Sequence, residues 1–385
     1  MTKKWSSRLT FFAFVVLMVG LGSNDSLRGI FSTIFQEHFS LTTTQLGLIV
    51  TASYIGNLVF LLVGGNLSTR FSKKRVLQVL ILIWMAALAL FAFTSNYTVL
   101  LIGMALALGS STLLNTTMNL ITPLLFATAP GFFVNFLFFT QEIGTSGSQY
   151  ILGSHADGFA FWQHTNLVLL ILGAVAFVLL LFCNVPEEAA APAQKGGYDW
   201  RIIVPYVLVF GFYFIAEHGV MNWMVAYGVD GLGLPQASAA KYLSVFFGGM
   251  MIGRLCLSPL VDKLGALKSL AAFGGVSCVL YLIGSLGGAV TMPVWAISGL
   301  SFSILYPTLV MSIRLYFPAQ QVSGAAGTIL SIASLADILF NVGFGKLVDM
   351  TGYAVSIRVL PLSALAFFIV FILFTKFCKP TQKLK

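Results

Sequence analysis

Twelve long apolar runs, separated by short polar or Gly/Pro-rich breaks, constrain this chain more than any other feature. They fall at 9–31, 45–67, 76–94, 97–122, 131–154 and 165–185, then at 202–228, 239–260, 267–287, 291–313, 322–345 and 354–377. A helix rises about 1.5 Å per residue, so each run can cross a hydrocarbon layer of about 30 Å. In lipid, every backbone N–H and C=O must be paired within its own segment, which selects helices for such runs. Composition agrees: 58% of the 385 residues are hydrophobic and 9% are charged, against about 25% charged in a soluble domain. A soluble domain cannot hide that much apolar surface. A cytosolic enzyme, a secreted disulfide scaffold and a disordered chain are therefore excluded. The expected fold is an all-α membrane protein of twelve transmembrane helices.

The longest polar stretch, residues 186–200 (PEEAAAPAQKGGYDW), reads as a cytoplasmic linker. It separates an N-terminal six-helix half, residues 1–185, from a C-terminal one, residues 201–385. With the N-terminus inside, 17 Lys and Arg residues fall on the inner side. Three (Lys241, Lys346 and Arg358) fall outside, and Arg28 lies within a span. That asymmetry puts both termini in the cytoplasm of a cell (inner) membrane protein. It also accounts for the net charge of +9 without a nucleic-acid partner. Lys3, Lys4 and the apolar run after them imitate a signal peptide; with no clean small-residue cleavage site they read as an uncleaved first helix. Cys183, Cys256, Cys278 and Cys378 lack metal-ligand spacing and read as packing residues.

A short motif recurs after helices 2, 5, 8 and 11. Its copies are Gly65–Ser72 (GNLSTRFS), Gly153–Gly158 (GSHADG), Ser258–Gly265 (SPLVDKLG) and Gly345–Gly352 (GKLVDMTG). Anchored on the fifth position of each, the steps are 88, 105 and 87 residues, and the offset between halves is 193 or 192. Three-helix units paired into two pseudo-symmetric halves are an architecture of secondary transporters.

The GNLSTRFSKKR loop after helix 2 and its SPLVDKLGALK counterpart after helix 8 resemble the loop signature of the major facilitator superfamily, over essentially the whole chain. The first copy departs from the pattern, with Thr69 for the usual Asp and Ser72 for the usual Gly. Four strings further resemble the fucose–galactose–glucose:proton symporter group: SNDS (23–26), YFIAEHGVMNW (213–223), MMIGRL (250–255) and SFSILYPT (301–308). That group usually carries an acid in a Leu-acid-Thr-x-x-Asn string in helix 4. Here the string is Leu114-Asn115-Thr116-Thr117-Met118-Asn119. The resemblance implies a secondary transporter that imports a sugar or related polar hydroxylated solute with protons, by alternating access.

Four acids lie inside spans: Asp25, Glu142, Glu217 and Asp337. A charge at the bilayer centre costs about 2.5–3.5 kcal/mol on insertion scales, so such residues face a cavity or a partner. Asp25 and Glu217 are 192 residues apart, the repeat offset itself, and so occupy matching depths in helices 1 and 7. Each is a candidate for solute hydroxyls or for the coupling ion. Asp25 alternatively pairs with Arg28 at i,i+3. Glu142 lies in a stripe with Asn135, Ser146 and Gln149 that lines a cavity or joins helices. It has no basic residue within two turns and has Phe136, Phe138, Phe139 and Ile143 nearby. It is the substitute for the missing helix 4 acid in proton coupling, with Asp25 as the other candidate.

Neutral amides suit hydroxylated solutes because each both donates and accepts. Asn24, Asn115, Asn119, Gln141 and Asn222 are such candidates, with Thr112 and Thr116 beside them in helix 4. Trp223 reads as a sugar platform or an interfacial belt residue, and Tyr306 is equally open. His218 reads as a hydrogen-bonded helix histidine or a relay. Asp337 lines the cavity or pairs with Arg254 or Arg314. Arg28, Arg254, Asp262 and Asp337 form the expected gating or structural charges. Sodium in place of the proton would draw on Ser23, Asn24 and Asp25. No phosphate loop, Ser/His/Asp set or metal cluster supports an enzyme, and no cofactor is expected. The competing readings are proton-driven efflux of drugs or metabolites, disfavoured by a proline-free GTSGSQYILG in helix 5, and a non-transporting sensor. A monomer is expected, surrounded by the lipid bilayer.

Overall fold

The computed structural model describes residues 3–126, 130–186 and 198–380, with side chains at 3–6, 63–70, 130–132, 135, 258, 262, 319, 320 and 323 not described. The side chains of Thr69, Asn135 and Asp262 and most of the expected linker thus lie outside the description. Regular structure among the described residues is entirely helical. The spans are α1 (Lys3–Ile30), α2 (Thr43–Arg70), α3 (Lys73–Phe93), α4 (Tyr97–Leu125), α5 (Pro130–Ile151) and α6 (Phe159–Leu181). The second set is α7 (Trp200–Ala226), α8 (Gln236–Leu264), α9 (Ala266–Leu286), α10 (Met292–Leu315), α11 (Ala319–Thr351) and α12 (Val359–Phe377). Twelve helices in two sets of six match the sequence expectation. The chain divides into two compact units, Met1–Ala190 and Ala191–Lys385.

Inside each unit the helices pair in one pattern. In the first, α1 packs on α5 and α6, α2 on α4, and α3 on α4 and α6. In the second, α7 packs on α11 and α12, α8 on α10, and α9 on α10 and α12. Adding six to each number in the first set gives the second, so the sequence repeat is a repeat of packing. Close approach uses glycine, because helices in lipid gain from backbone contact rather than from water expulsion. Gly22 lies against the Gln141 carbonyl and Gly144 against that of Val19, which joins α1 to α5. Gly56 meets the Ala105 carbonyl between α2 and α4, and Gly299 meets that of Phe246 between α10 and α8.

The motif after each third helix has a structural cause. Gly265 ends α8 at φ 81° and Gly352 ends α11 at φ 76°, a left-handed backbone that a side chain disfavours. In the first copy Ser72 takes this place at φ −59°, and its Oγ accepts from the Arg75 N–H. It begins α3 as an N-cap and needs no positive φ. The run 291–313 is unbroken in sequence and divided in structure: α10 consists of Met292–Ile297, Gly299–Phe302 and Leu305–Ser312. Pro307 has no N–H for the Ser303 carbonyl. The hydroxyls of Ser298, Ser301 and Ser303 each donate to the carbonyl three residues back.

Candidate functional site

In the N-terminal half the candidate side chains gather where α1, α4 and α5 meet. Ser111 Oγ donates to Asp25 Oδ2 at 3.2 Å. One turn along α4, Asn115 Nδ2 donates to Gln141 Oε1 at 2.7 Å, and Asn119 Nδ2 donates to Asn115 Oδ1 at 2.6 Å. Ser111, Asn115 and Asn119 are four residues apart, so one face of α4 carries the ladder. Asp25, Asn115, Asn119, Gln141 and Glu142 are all part-buried. Asp25 Oδ1 and Asn119 Oδ1 are buried, and the protein supplies neither with a donor.

Several expectations are corrected here. The Arg28 charge acts on Asp25 without a contact within salt-bridge distance; its guanidinium lies over the Tyr54 ring at 5.8 Å. The Ser23, Asn24 and Asp25 oxygens do not converge as a sodium site would require. Ser23 donates to the Val19 and Gly144 carbonyls, and Asn24 Oδ1 accepts from Trp84 Nε1 at 3.1 Å. Asn24, buried, therefore acts in the packing of α1 on α3. Phe136, Phe138 and Ile143, expected beside Glu142, are exposed.

In the C-terminal half Glu217 is buried, and its carboxylate lies in the electrostatic field shared by the Tyr213, Tyr281 and Tyr306 hydroxyls. Arg254 on α8 acts on Tyr213 and Tyr306 as well. Tyr306 stacks on Tyr213 at 6.1 Å. Tyrosines from α7, α9 and α10 thus share one acid as an electrostatic neighbour. Trp223 is 0% exposed; its Nε1 donates to Asn341 Oδ1 at 2.9 Å and its ring packs on Phe344. It belongs to the seam between α7 and α11 and presents no open platform. Asn222 is buried as well. Asp337 pairs with neither arginine: its Oδ2 is 2.7 Å from His218 Nδ1.

Sequence reasoning missed two supports. Trp84 on α3 holds Asn24, the residue before Asp25. Tyr281 on α9 donates to the carbonyl of Ala216, the residue before Glu217. Positions 24 and 216 differ by the repeat offset, which was the available signal. Each unit thus anchors, from its third helix, the turn that carries its acid.

A polytopic helical bundle with intramembrane acids and amides, built as two repeats, is the structure of a membrane carrier. Comparison with known proteins makes the class specific. Residues 10–340 match the Major Facilitator Superfamily. The L-fucose-proton symporter of Escherichia coli (strain K12) is 23% identical over 332 residues, 74% of this chain and 75% of that protein. A glucose/galactose transporter of Brucella abortus (biovar 1, strain 9-941) is 27% identical over 340 residues, 82% and 81% of the two chains. The crystal structure of a D-xylose-proton symporter superposes with a TM-score of 0.77 at 15% identity, covering 99% of each chain. The chain belongs to the Major Facilitator Superfamily.

Proposed function

We propose that this protein is a proton-coupled importer of a sugar or a closely related hydroxylated solute. The observation that carries the reading is the polar face of α1, α4 and α5. There, two buried acceptors, Asp25 Oδ1 and Asn119 Oδ1, stand without protein donors beside amides that donate and accept. Solute hydroxyls supply the missing donors, and an unpaired buried acceptor costs about 1–3 kcal/mol until they do. Asp25, Asn115, Asn119 and Gln141 are the solute contacts of the N-terminal unit, and Glu217 and Tyr306 are those of the C-terminal unit, each unit taken by itself. Asn24, Asn222 and Trp223 support the helices that carry them. Glu142 and Asp25 are the coupling acids, and Arg28 and Arg254 are charges that bias the cycle. The names of the fucose and glucose/galactose relatives support a sugar and, for fucose, a proton. The excess of basic residues on one side supports cytoplasmic termini.

The deciding experiment is uptake of labelled L-fucose, D-glucose and D-galactose into proteoliposomes, with and without an inward proton gradient. Accumulation of at least one of them, driven by the gradient, is expected. Solute-only equilibration with no response to the gradient overturns proton coupling, and indifference to all three overturns the sugar reading.

A further inference from the structure

His218 and Asp337 form an ion pair, and neither has a part in the solute contacts. His218 on α7 and Asp337 on α11 meet at 2.7 Å, with side-chain exposures of 25% and 2%. We infer that this pair is a proton-binding site of the transport cycle, with the imidazole as its port and the carboxylate as its counter-charge. The inference rests on the proton-coupled reading above only in its transport arm.

The charges define the site. With one proton on Nδ1, donated to Asp337 Oδ2, the pair carries a net charge of −1 inside a membrane helix seam. A second proton, on Nε2, makes an imidazolium–carboxylate pair of net charge zero. Removing one partner from a buried pair leaves an uncompensated charge, and any net charge inside a span is costly. Proton binding therefore cancels the charge that would resist closing this seam away from water. Exposure sets the route: the imidazole is part-exposed, while the carboxylate is sealed and its Oδ1 has no hydrogen-bond partner. The protons bound here belong to the pair rather than to either residue.

The surroundings keep the pair in place. Asn341 Nδ2 donates to the Asp337 carbonyl, and Asn341 Oδ1 accepts from Trp223. The α7–α11 seam is thus tied five residues past His218. Phe214 stacks on the imidazole at 5.2 Å. The ionisable groups on the helices around α7 form a cluster of their own about Glu217, the residue before His218: Tyr213 on α7, Tyr281 on α9 and Tyr306 on α10 feel the Glu217 charge, and Arg254 on α8 acts on Tyr213 and Tyr306. On α11, Lys346 and Asp349 lie at least nine residues beyond Asp337, and on α12 Arg358 precedes the helix. The repeat offers a control. The positions 192 residues earlier are Ser26 and Thr145, whose hydroxyls donate to the Ser23 and Gly22 carbonyls. The two matching positions in the N-terminal half carry neutral hydroxyls, so packing at these positions does not by itself require an ion pair.

The test begins without any solute. Full-length protein in lipid nanodiscs is stepped from about pH 8 to about pH 6, and protons taken up are counted with a dye. His218→Gln and Asp337→Asn are each expected to take up about one proton fewer than wild type, and the double variant no fewer than either single one. Asp337→Glu is expected to restore uptake, which a variant that misfolds would not do. Wild-type uptake in Asp337→Asn, or deficits that add in the double variant, overturns the site. In proteoliposomes with the three sugars, Asp337→Asn is expected to lose about tenfold in gradient-driven accumulation while keeping counterflow. Undiminished accumulation overturns its role in coupling. If the wild type moves none of the sugars, the substrate reading fails and the proton count still decides the site.

Discussion

Asp25 and Glu217 show where residue-level reading succeeds and where it stops. Their shared depth follows from the 192-residue offset, because a repeat of sequence is a repeat of packing. Which way each points did not follow. α7 is apolar over most of its length, so hydrophobic periodicity selects no face, and Trp223 was as good a platform on paper as Tyr306. The structure buries Trp223 against α11 and leaves Glu217 among tyrosines. Substitution of Glu217 by Gln keeps the shape and removes the charge. Solute binding, read by titration calorimetry with the transported sugar, is expected to weaken at least about tenfold, or about 1.4 kcal/mol, with expression unchanged. Unaltered affinity would return Glu217 to a structural role. Trp84 belongs at the same scale. Trp84→Phe leaves the Asn24 Oδ1 acceptor without its donor, and a buried orphan of this kind costs about 1–3 kcal/mol. A lower melting temperature in detergent, with Asn24→Val largely cancelling the loss in the double variant, is the expected pattern; additive losses would show that the hydrogen bond is not the cause.

At the scale of the element, glycine separates helix contact from helix propensity within α5. A Cβ at Gly144 would run into the Val19 carbonyl of α1, while one at Gly147 would meet nothing within 4 Å. Gly144→Ala is expected to destabilise by about 1–3 kcal/mol through overpacking. Gly147→Ala is expected to be neutral, or to stabilise by up to about 1 kcal/mol through helix propensity. Equal effects, measured by thermal or denaturant unfolding in detergent, would deny that α1 and α5 are in backbone contact. The element scale also shows what periodicity cannot supply. Span existence was legible from the apolar runs, yet the breaks in α10 were not. They come from serine hydroxyls turned back onto the carbonyls three residues earlier and from Pro307, local chemistry that a hydropathy pattern averages away. The Ser72 departure was legible as a departure, and its cause, a side-chain cap in place of a left-handed turn, came only with the backbone angles.

For the whole molecule, orientation and coupling remain predictions of the sequence, and each has its own measurement. The 17-to-3 distribution of basic residues expects residues 190–197 in the cytoplasm. A protease site inserted there is expected to be cut only after the cells are opened; cleavage from the outside of intact cells would reverse the topology. Coupling is a property of the complete cycle. A symporter needs at least one group that binds a proton with solute and releases it on the other side. Glu142 is part-buried on α5, adjacent to Gln141, whose carbonyl oxygen accepts from Asn115. A change in its protonation is thus placed one residue from a solute contact. Glu142→Gln removes the titration and keeps the size. Gradient-driven accumulation is expected to fall by at least about tenfold, while solute-for-solute exchange, which needs no net proton movement, is expected to stay within about twofold of wild type. If Glu142→Gln still accumulates sugar, and Asp25→Asn is the variant that retains exchange alone, then the carrier of the proton is the acid on α1 and Glu142 serves the solute.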